Sequence, residues 1–421
     1  MSIIENNTDY DVLIVGGGMV GASLACALGQ ACQDSPLKIA VLEGTAFESG
    51  TQPSFDARTI ALAEGSQKIF NTLGLWQAMV QLGVMPIKRI HVSDRGHIGS
   101  THMDCKDHKV DAFGYVVETR VMGKVLHEAM AALNHVDLIC PANVISVNIN
   151  DTAAEVFFTE NGNERCLRAQ LVVAADGGQS LIREACGVKS FTLNYDQSAV
   201  IANVACDRPH NNIAYERFTD SGPMALLPTC AQDGTQNMYA LVWTVKPQQA
   251  EQIMALDDDA FLQQLQQRFG RRAGRFVKTG TRHVYPLRFL QTREHVRPHL
   301  AIIGNAAHAL HPVSGQGFNL GLRDVAALAQ VLVDAQREGR PLGDLDVLRD
   351  YAGWRKRDQW MTAFSTDSMV RIFSNNFSPL ALGRNIGLLA MDILPPLKKR
   401  LARHAMGYTG KLPRLARGLP L

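Results

Sequence analysis

The chain has no CxxC pair, no internal repeat and no low-complexity tract. Its eight cysteines stand singly at 26, 32, 105, 140, 166, 186, 206 and 230. That spacing matches no structural zinc site, and scattered thiols in a long chain fit a reducing compartment. Neither sign of charge is in excess: 42 Lys and Arg face 40 Asp and Glu, a formal net charge of +2. Bulk nucleic-acid binding is therefore not expected. Residues 1–11 carry no basic run ahead of an apolar core, so no cleavable leader is read there and a cytoplasmic location is expected. One long stretch lacks charge, Val12 to Gln33. Three consecutive glycines inside it, Gly16 to Gly18, argue against a membrane-crossing helix. What is present is 421 residues, 46% hydrophobic and 19% charged, enough for two or three domains with large cores.

The uncharged stretch has internal order. Val12-Leu13-Ile14-Val15 predicts a buried strand, Gly16-Gly17-Gly18-Met19-Val20-Gly21 a glycine turn, and the Ala- and Leu-rich segment to about Cys32 a helix. A second strand, Lys38 to Leu42, ends on Glu43. Gly16 permits the tight turn, Gly18 lets the backbone approach a pyrophosphate, and Gly21 lets the helix pack close on the strand. The helix start offers unpaired N–H groups and a positive dipole end to phosphates. Glu43 falls where an acid accepts hydrogen bonds from a ribose diol. The turn alone would be weak evidence; strand, turn, helix, strand and acid together predict a dinucleotide site.

Two later stretches repeat the logic of a strand ending in a glycine turn. Leu171 to Ala174 predicts a buried strand with Asp176-Gly177 at its carboxyl end, followed by Ser180 and Arg183 at a helix start. Capping of that turn would by itself explain an Asp there, but not the whole spacing. Leu300 to Ile303 predicts another strand, followed by Gly304-Asn305-Ala306-Ala307-His308. Then come His311-Pro312 and Gly315-Gln316-Gly317-Phe318-Asn319-Leu320-Gly321, opening a long helix to about Arg337. The spacing of His308 and His311 lacks the acid of HExxH, and Pro312 forbids an ordinary helix, so no metal is assigned. Glycines 315, 317 and 321 make a nest of backbone donors suited to a delocalised anion.

The remaining segments are less specific. Arg58 is a candidate for a phosphate or ring contact, or for an ion pair with Asp56, in a segment leading to a helix with Ile69, Leu73 and Trp76. Ile87 to Asp94 alternates like a strand. Ser93 to His108 reads as a solvated loop, since His91, His97, His102 and His108 lack ligand spacing. Arg120 to Leu133 predicts an amphipathic helix. Val144–Ile149 and Glu155–Phe158 predict strands, with a turn at Asn161-Gly162-Asn163. Ala199–Ala205, Met224–Leu227 and Tyr239–Val245 predict an antiparallel sheet with a helix at Asp257–Phe269. This block carries no nucleotide signature and is the natural cover for a substrate. The tail reads as helical from about Asp344. Beyond Asp392 it holds no acid but seven bases, Lys398, Lys399, Arg400, Arg403, Lys411, Arg414 and Arg417, interleaved with Leu389, Ile393, Leu397 and Leu401. It is a candidate for an anionic inner-membrane surface, or a solvated terminus.

In their order and distances the three glycine-turn stretches resemble the single-component FAD-dependent aromatic hydroxylases, over nearly the whole chain. Four segments are similar to the ubiquinone-biosynthesis branch: His91 to His97, Ala199 to Val204, Glu216 to Thr219 and Asn385 to Leu388. Within it they most resemble the 2-octaprenyl-6-methoxyphenol hydroxylases. The resemblance implies an α/β fold: a Rossmann-like FAD-binding domain with an inserted antiparallel β-sheet substrate domain and a C-terminal helical segment. The FAD-binding domain would comprise residues 1–85, 109–190 and 286–342. Residues 86–108 and 191–285 would form the substrate domain, and 343–421 the helical region.

By the same resemblance, FAD would be held by Gly16, Gly18, Gly21, Glu43, Arg58, Arg120, Asp176, Gly177, Gly304, Asn305, Gly317, Phe318 and Asn319. Pro312, Gly315, Gln316 and Gly317 would lie against the isoalloxazine as the catalytic surface. Asn305 stands where the family usually has Asp; its amide oxygen still accepts from a ribityl hydroxyl. NAD(P)H would reduce the flavin, binding transiently because no second complete Rossmann fingerprint exists. The helix behind Gly315 would stabilise reduced flavin by about 1 kcal/mol or more. Dioxygen would then give a flavin C4a-hydroperoxide that attacks the ring of a polyprenylated phenol. Other ubiquinone-biosynthesis proteins are candidate partners. The alternatives are a flavin-dependent reductase or dehydrogenase on the same fold, and a non-catalytic subunit of a quinone-biosynthesis complex. A halogenase is disfavoured because Trp243 lacks the paired-Trp motif of that class. No general base is legible in the sequence.

Overall fold

The computed structural model describes residues 8–31, 35–46, 58–97, 99–230, 234–311, 315–373, 395–408 and 410–421. Residues 12–15, 39–42 and 171–174 are buried on both faces, as only strands covered on both sides can be. They are the middle of a largely parallel sheet. Its order is 296–297, 300–302, 163–174, 10–15, 39–42, 136–139, with only the first pair antiparallel. The helices Met19–Ala31, Thr119–Ala131 and Gln316–Arg337 cover one face through Leu24, Leu28, Leu126, Leu322 and Leu328. On the other face Leu13, Val15 and Leu42 meet Val156, Phe158 and Leu167. These come from an antiparallel meander, Ala142–Ile149, Ala154–Glu160 and the first half of Asn163–Ala174. The expected turn is there, at Asn161 and Gly162 between paired Glu160 and Asn163, but the strand after it is one element, where the sequence suggested a separate strand only from Leu171. Its first four residues are all exposed, so no apolar alternation announces them.

A second sheet lies across the first domain. Its order is 308–309, 283–292, 190–206, 238–245, 222–229, 213–219, 89–94, 100–104, with 276–279 added beside 190–206. One face is packed under the helices Pro247–Met254 and Asp258–Phe269. A three-stranded sheet, in the order 59–63, 114–118, 84–87, links the two parts.

Several expectations change here. The segment after Arg58 is a strand, Thr59–Ala63, before its helix begins at Glu64. Ile87 to Asp94 divides at Lys88 into two strands of different sheets. The supposed solvated loop 93–108 contains the strand Ser100–Asp104 and a short helix Cys105–His108. Its alternation, with Thr101 and Met103 buried, spans too few residues to stand out. The strand His283–Thr292 pairs with Ser190–Cys206 on both sides of residue 285, so the covering sheet continues past that residue.

The C-terminal part contains the helices Leu345–Phe373 and Pro395–Ala405. The second packs Leu401 and Ala402, with Met406 beyond it, against Met103, Cys105 and Phe113. That portion of the tail's apolar surface is thus directed into the protein; Leu389 and Ile393 lie outside the described residues. No described helix is long and apolar enough to cross a membrane.

Candidate active site

Three strands end side by side. Val15 pairs with Ala174 and with Leu42, and Ala174 pairs with Ile302. The turns that follow, at Gly16, Asp176 and Gly304, therefore open on the same carboxyl edge of the parallel sheet, where such sheets bind ligands. Backbone bonds knit them together. Ala175 N–H donates to the Val15 carbonyl at 2.8 Å, and Ile303 N–H to the Ala174 carbonyl at 3.0 Å.

The first turn has no room for side chains. Gly16 has φ +102°, and a Cβ there would lie 2.5 Å from the Ala175 oxygen. A Cβ on Gly21 would lie 1.9 Å from the Gly16 oxygen. Gly18 is half-buried at the start of the helix. Glu43 sits at the mouth of this turn: its carboxylate accepts from Gly17 N–H at 2.8 Å and Thr45 N–H at 2.9 Å.

In the second turn, one oxygen of Asp176 accepts from Ile182 N–H at 3.2 Å. The other, Oδ1, is buried without a partner among the described residues. Burial pushes this carboxyl's pKa up in spite of its bonds to Ser180 and Ile182. Gly177 adopts φ +83°, with open space where a Cβ would project. The third turn is fastened to the second by Arg183. Its buried guanidinium donates to the Ala306 carbonyl at 3.0 Å and the Gly178 carbonyl at 2.9 Å. Gly304 has φ +58° and lies against Val20, and a Cβ on Gly321 would lie 3.2 Å from the Gly304 Cα. Asn305 is exposed on the open side of this turn.

The helix Gln316–Arg337 begins beside these turns, with Gly315 in the left-handed conformation. Gln316 is buried, and a Cβ on Gly317 would meet no described atom within 4 Å. Asn319 is not available as expected. Its amide oxygen accepts from Ala63 N–H at 2.8 Å and Ser66 at 2.7 Å. Its nitrogen donates to the carbonyls of Ala61 at 2.8 Å and Gly315 at 2.7 Å. With four bonds made, the side chain braces the helix start against the strand Thr59–Ala63 and has no capacity for a ligand. The Phe318 ring stacks on core residue Phe70, with centroids 6.4 Å apart. Arg58 places its guanidinium 4.9 Å from the ring centre of Tyr285. Arg120 is exposed and ion-paired with Glu118. Pro312 lies outside the described residues.

Behind the third turn is a buried ionic cluster that sequence reasoning missed. Asp324 accepts from His308 at 2.5 Å, Gly304 N–H at 3.2 Å, Arg355 at 2.8 Å and Gln359 at 2.9 Å. Arg355 and Arg323 both pair with Asp358. The only sequence signal was an adjacent charged pair, Arg323-Asp324, set among apolar residues of the helix. Nearby, His311 is buried edge-on to Tyr195, with ring centroids 5.2 Å apart, and burial pulls its pKa down to about 4.

Comparison with known proteins agrees with this arrangement. A family model described as an FAD binding domain matches residues 9–356. The chain is 37% identical to ubiquinone hydroxylase UbiL of Rhodospirillum rubrum over 415 residues, covering 98% of this chain and 93% of that one. It is 31% identical to the 3-demethoxyubiquinol 3-hydroxylase of Escherichia coli, covering 95% and 99%. The crystal structure of p-nitrophenol 4-monooxygenase PnpA from Pseudomonas putida shares the fold, with a TM-score of 0.76 at 18% identity over 96% of this chain and 98% of that one. Glycine turns, strand order and relatives agree: the chain belongs to the FAD-binding-domain family of aromatic hydroxylases, in its ubiquinone-biosynthesis branch, and is an FAD-dependent monooxygenase.

Proposed function

We propose that this enzyme uses NAD(P)H and dioxygen to hydroxylate the aromatic ring of a polyprenylated phenol in ubiquinone biosynthesis. The observation that carries this reading is the shared carboxyl edge on which the turns at Gly16, Asp176 and Gly304 open. The residues present fit FAD. Asp176 Oδ1, unpartnered among the described residues, is an acceptor suited to a hydroxyl, and no described atom fills the space over Gly177 and Gly317. Gly16, Gly18, Gly21 and the adjoining helix start would hold the pyrophosphate, and Glu43 a ribose. Asp176, Gly304 and Asn305 would hold the ribityl and phosphate region. Gly315 to Phe318 would meet the ring through backbone groups.

When bound, FAD supplies the redox chemistry, taking electrons from NAD(P)H and activating dioxygen. The chain's own groups orient and shield. The N-terminal end of Gln316–Arg337 directs a positive dipole at charge on the ring. Arg183 and Asp324 hold the second and third turns in place. The covering sheet excludes water, which would otherwise release the activated oxygen unproductively. The basic residues Lys399, Arg400 and Arg403 are exposed on the C-terminal helix and support peripheral contact with an anionic membrane surface.

The resemblance to 2-octaprenyl-6-methoxyphenol hydroxylases makes a prenylated 2-methoxyphenol the first substrate to test. FAD-loaded protein, NAD(P)H and labelled dioxygen should give a ring hydroxyl carrying the label. Label from water, or anaerobic turnover that saturates a double bond, would assign the chain to the reductase alternative. A folded protein that refuses FAD would fit a non-catalytic subunit.

A further inference from the structure

One face of the covering sheet is fully packed: Ala202, Met224, Leu226, Leu241 and Trp243 lie under the two helices. The other face is turned towards the FAD-binding domain. Directly paired residues of neighbouring strands share a face. Val92 pairs with Glu216, Glu216 with Ala225, Ala225 with Val242, and Val242 with Ile201. These five make one row across the inner face, and all five are half-buried. Two residues to one side, Ile90, Ala214 and Leu227 close the gap by packing on Met85, Ile87 and Val116 of the three-stranded sheet. Two residues to the other side, on the same face, lies Tyr285 under Arg58.

The row therefore lines an inner space between the covering sheet and the domain bearing the glycine turns. Glu216 is its only charged member. Its carboxyl has no hydrogen-bond or ion-pair partner among the described residues. It lies deep in the protein while its side chain keeps accessible surface, as a group lining an enclosed space does. Burial alone pushes its pKa up to about 8; no neighbouring charge contributes. The titratable groups on this face are Asp94, held by His97, with His283, Tyr285 and the Arg58 above it.

We propose that Glu216 is a catalytic residue of the hydroxylation, accepting the proton of the substrate's ring hydroxyl. This rests on the phenol hydroxylation proposed above. The O–H bond breaks and the proton passes to a Glu216 oxygen. The released pair enriches the ring carbon opposite the hydroxyl, both adjacent carbons of a 2-prenyl-6-methoxyphenol being substituted, and that carbon forms the new C–O bond. The oxidant is the flavin-activated dioxygen, whose O–O bond breaks as it accepts that pair. The hydrogen on the attacked carbon leaves as a proton when aromaticity returns. A carboxylate whose pKa lies near working pH is suited to this transfer.

The test is Glu216→Gln in the FAD-loaded enzyme, with a short-chain prenylated 2-methoxyphenol as probe. FAD content should be unchanged and kcat should fall roughly 100-fold. Wild-type kcat should rise with pH and level off above about 8, the carboxylate being the active form. The variant should lose that rise and recover only as the phenol itself ionises, near pH 10 or so. A fluorinated, more acidic phenol should shrink the defect. Glu216→Asp should retain a slowed, still pH-dependent rate. Independently of turnover, infrared titration should show a protonated carboxyl that titrates near pH 8 in wild type and is missing in Glu216→Gln. A Gln variant with wild-type kcat and pH profile overturns the proposal, as does a defect equally large with acidic phenols. If wild type gives no labelled ring hydroxyl, the phenol reading itself has failed, which is a separate result.

Discussion

His308 Nε2 donates to Asp324 at 2.5 Å, and both side chains are completely inaccessible to solvent. The same Asp324 oxygen receives the Gly304 N–H, so one carboxylate supports the third turn from behind while its other oxygen is held by Arg355 and Gln359. The third turn is in this way tied to the helix Leu345–Phe373. Burial alone would raise the Asp324 pKa, but His308 and Arg355 outweigh it and hold the carboxyl well below the usual range.

Asp324→Asn should be among the most damaging single changes. It leaves His308 without its carboxylate acceptor and Arg355 with Asp358 alone in a buried site, a loss of about 3–5 kcal/mol. Urea unfolding should show the lower midpoint, and FAD should dissociate more readily. In wild type the depressed pKa contributes stability that is complete above the unfolded carboxyl value of about 4. It is lost as pH falls below that towards the folded value. Acid-unfolding curves of wild type and variant should therefore converge at low pH.

Two buried histidines predict a second pH effect at milder acidity. Burial is the main cause pulling His91 and His311 down to about 4, against about 6.5 in an unfolded chain. Between those values the unfolded state binds more protons, so stability falls as pH drops through that window. The slope is up to about 1.4 kcal/mol per pH unit for each histidine. Denaturation at a series of pH values should show it, and His311→Gln should remove that histidine's share of the slope.

Two glycine substitutions should separate folding from cofactor retention. Gly21→Ala drives a methyl to within 1.9 Å of the Gly16 oxygen, so the helix must move off the turn. Thermal stability and FAD binding should both fall. Gly317→Ala meets no atom of the described residues within 4 Å. It should leave the FAD-free protein as stable as wild type while lowering FAD affinity, measured by flavin fluorescence. An unchanged affinity would remove Gly317 from the flavin surface.

Arg183→Lys keeps the charge but cannot reach both carbonyls in the guanidinium's fixed fork. At least one of Gly178 and Ala306 would be left unsatisfied in a buried site, about 1–3 kcal/mol. The melting temperature should fall, and FAD dissociation should quicken because two of its three turns are no longer joined.

The sequence by itself determined the nucleotide half of this protein. Gly16, Gly21, Glu43 and Asp176 act through local backbone geometry and short spacings, and a single chain segment carries such information. It also placed the covering sheet's central strands, because residues 199–205 and 239–245 are strongly apolar. Tertiary structure decided the rest. Asn319 matched a cofactor motif, yet its amide is taken up by residues more than 250 positions away. Asp324 stood beside Arg323 in the sequence, and its partners His308 and Arg355 met it only when the chain folded. Glu216 stood in an ordinary strand, and only pairing across four neighbours set it in an enclosed row. Such partners meet through long-range packing, and no local periodicity records which distant group a buried polar side chain will face.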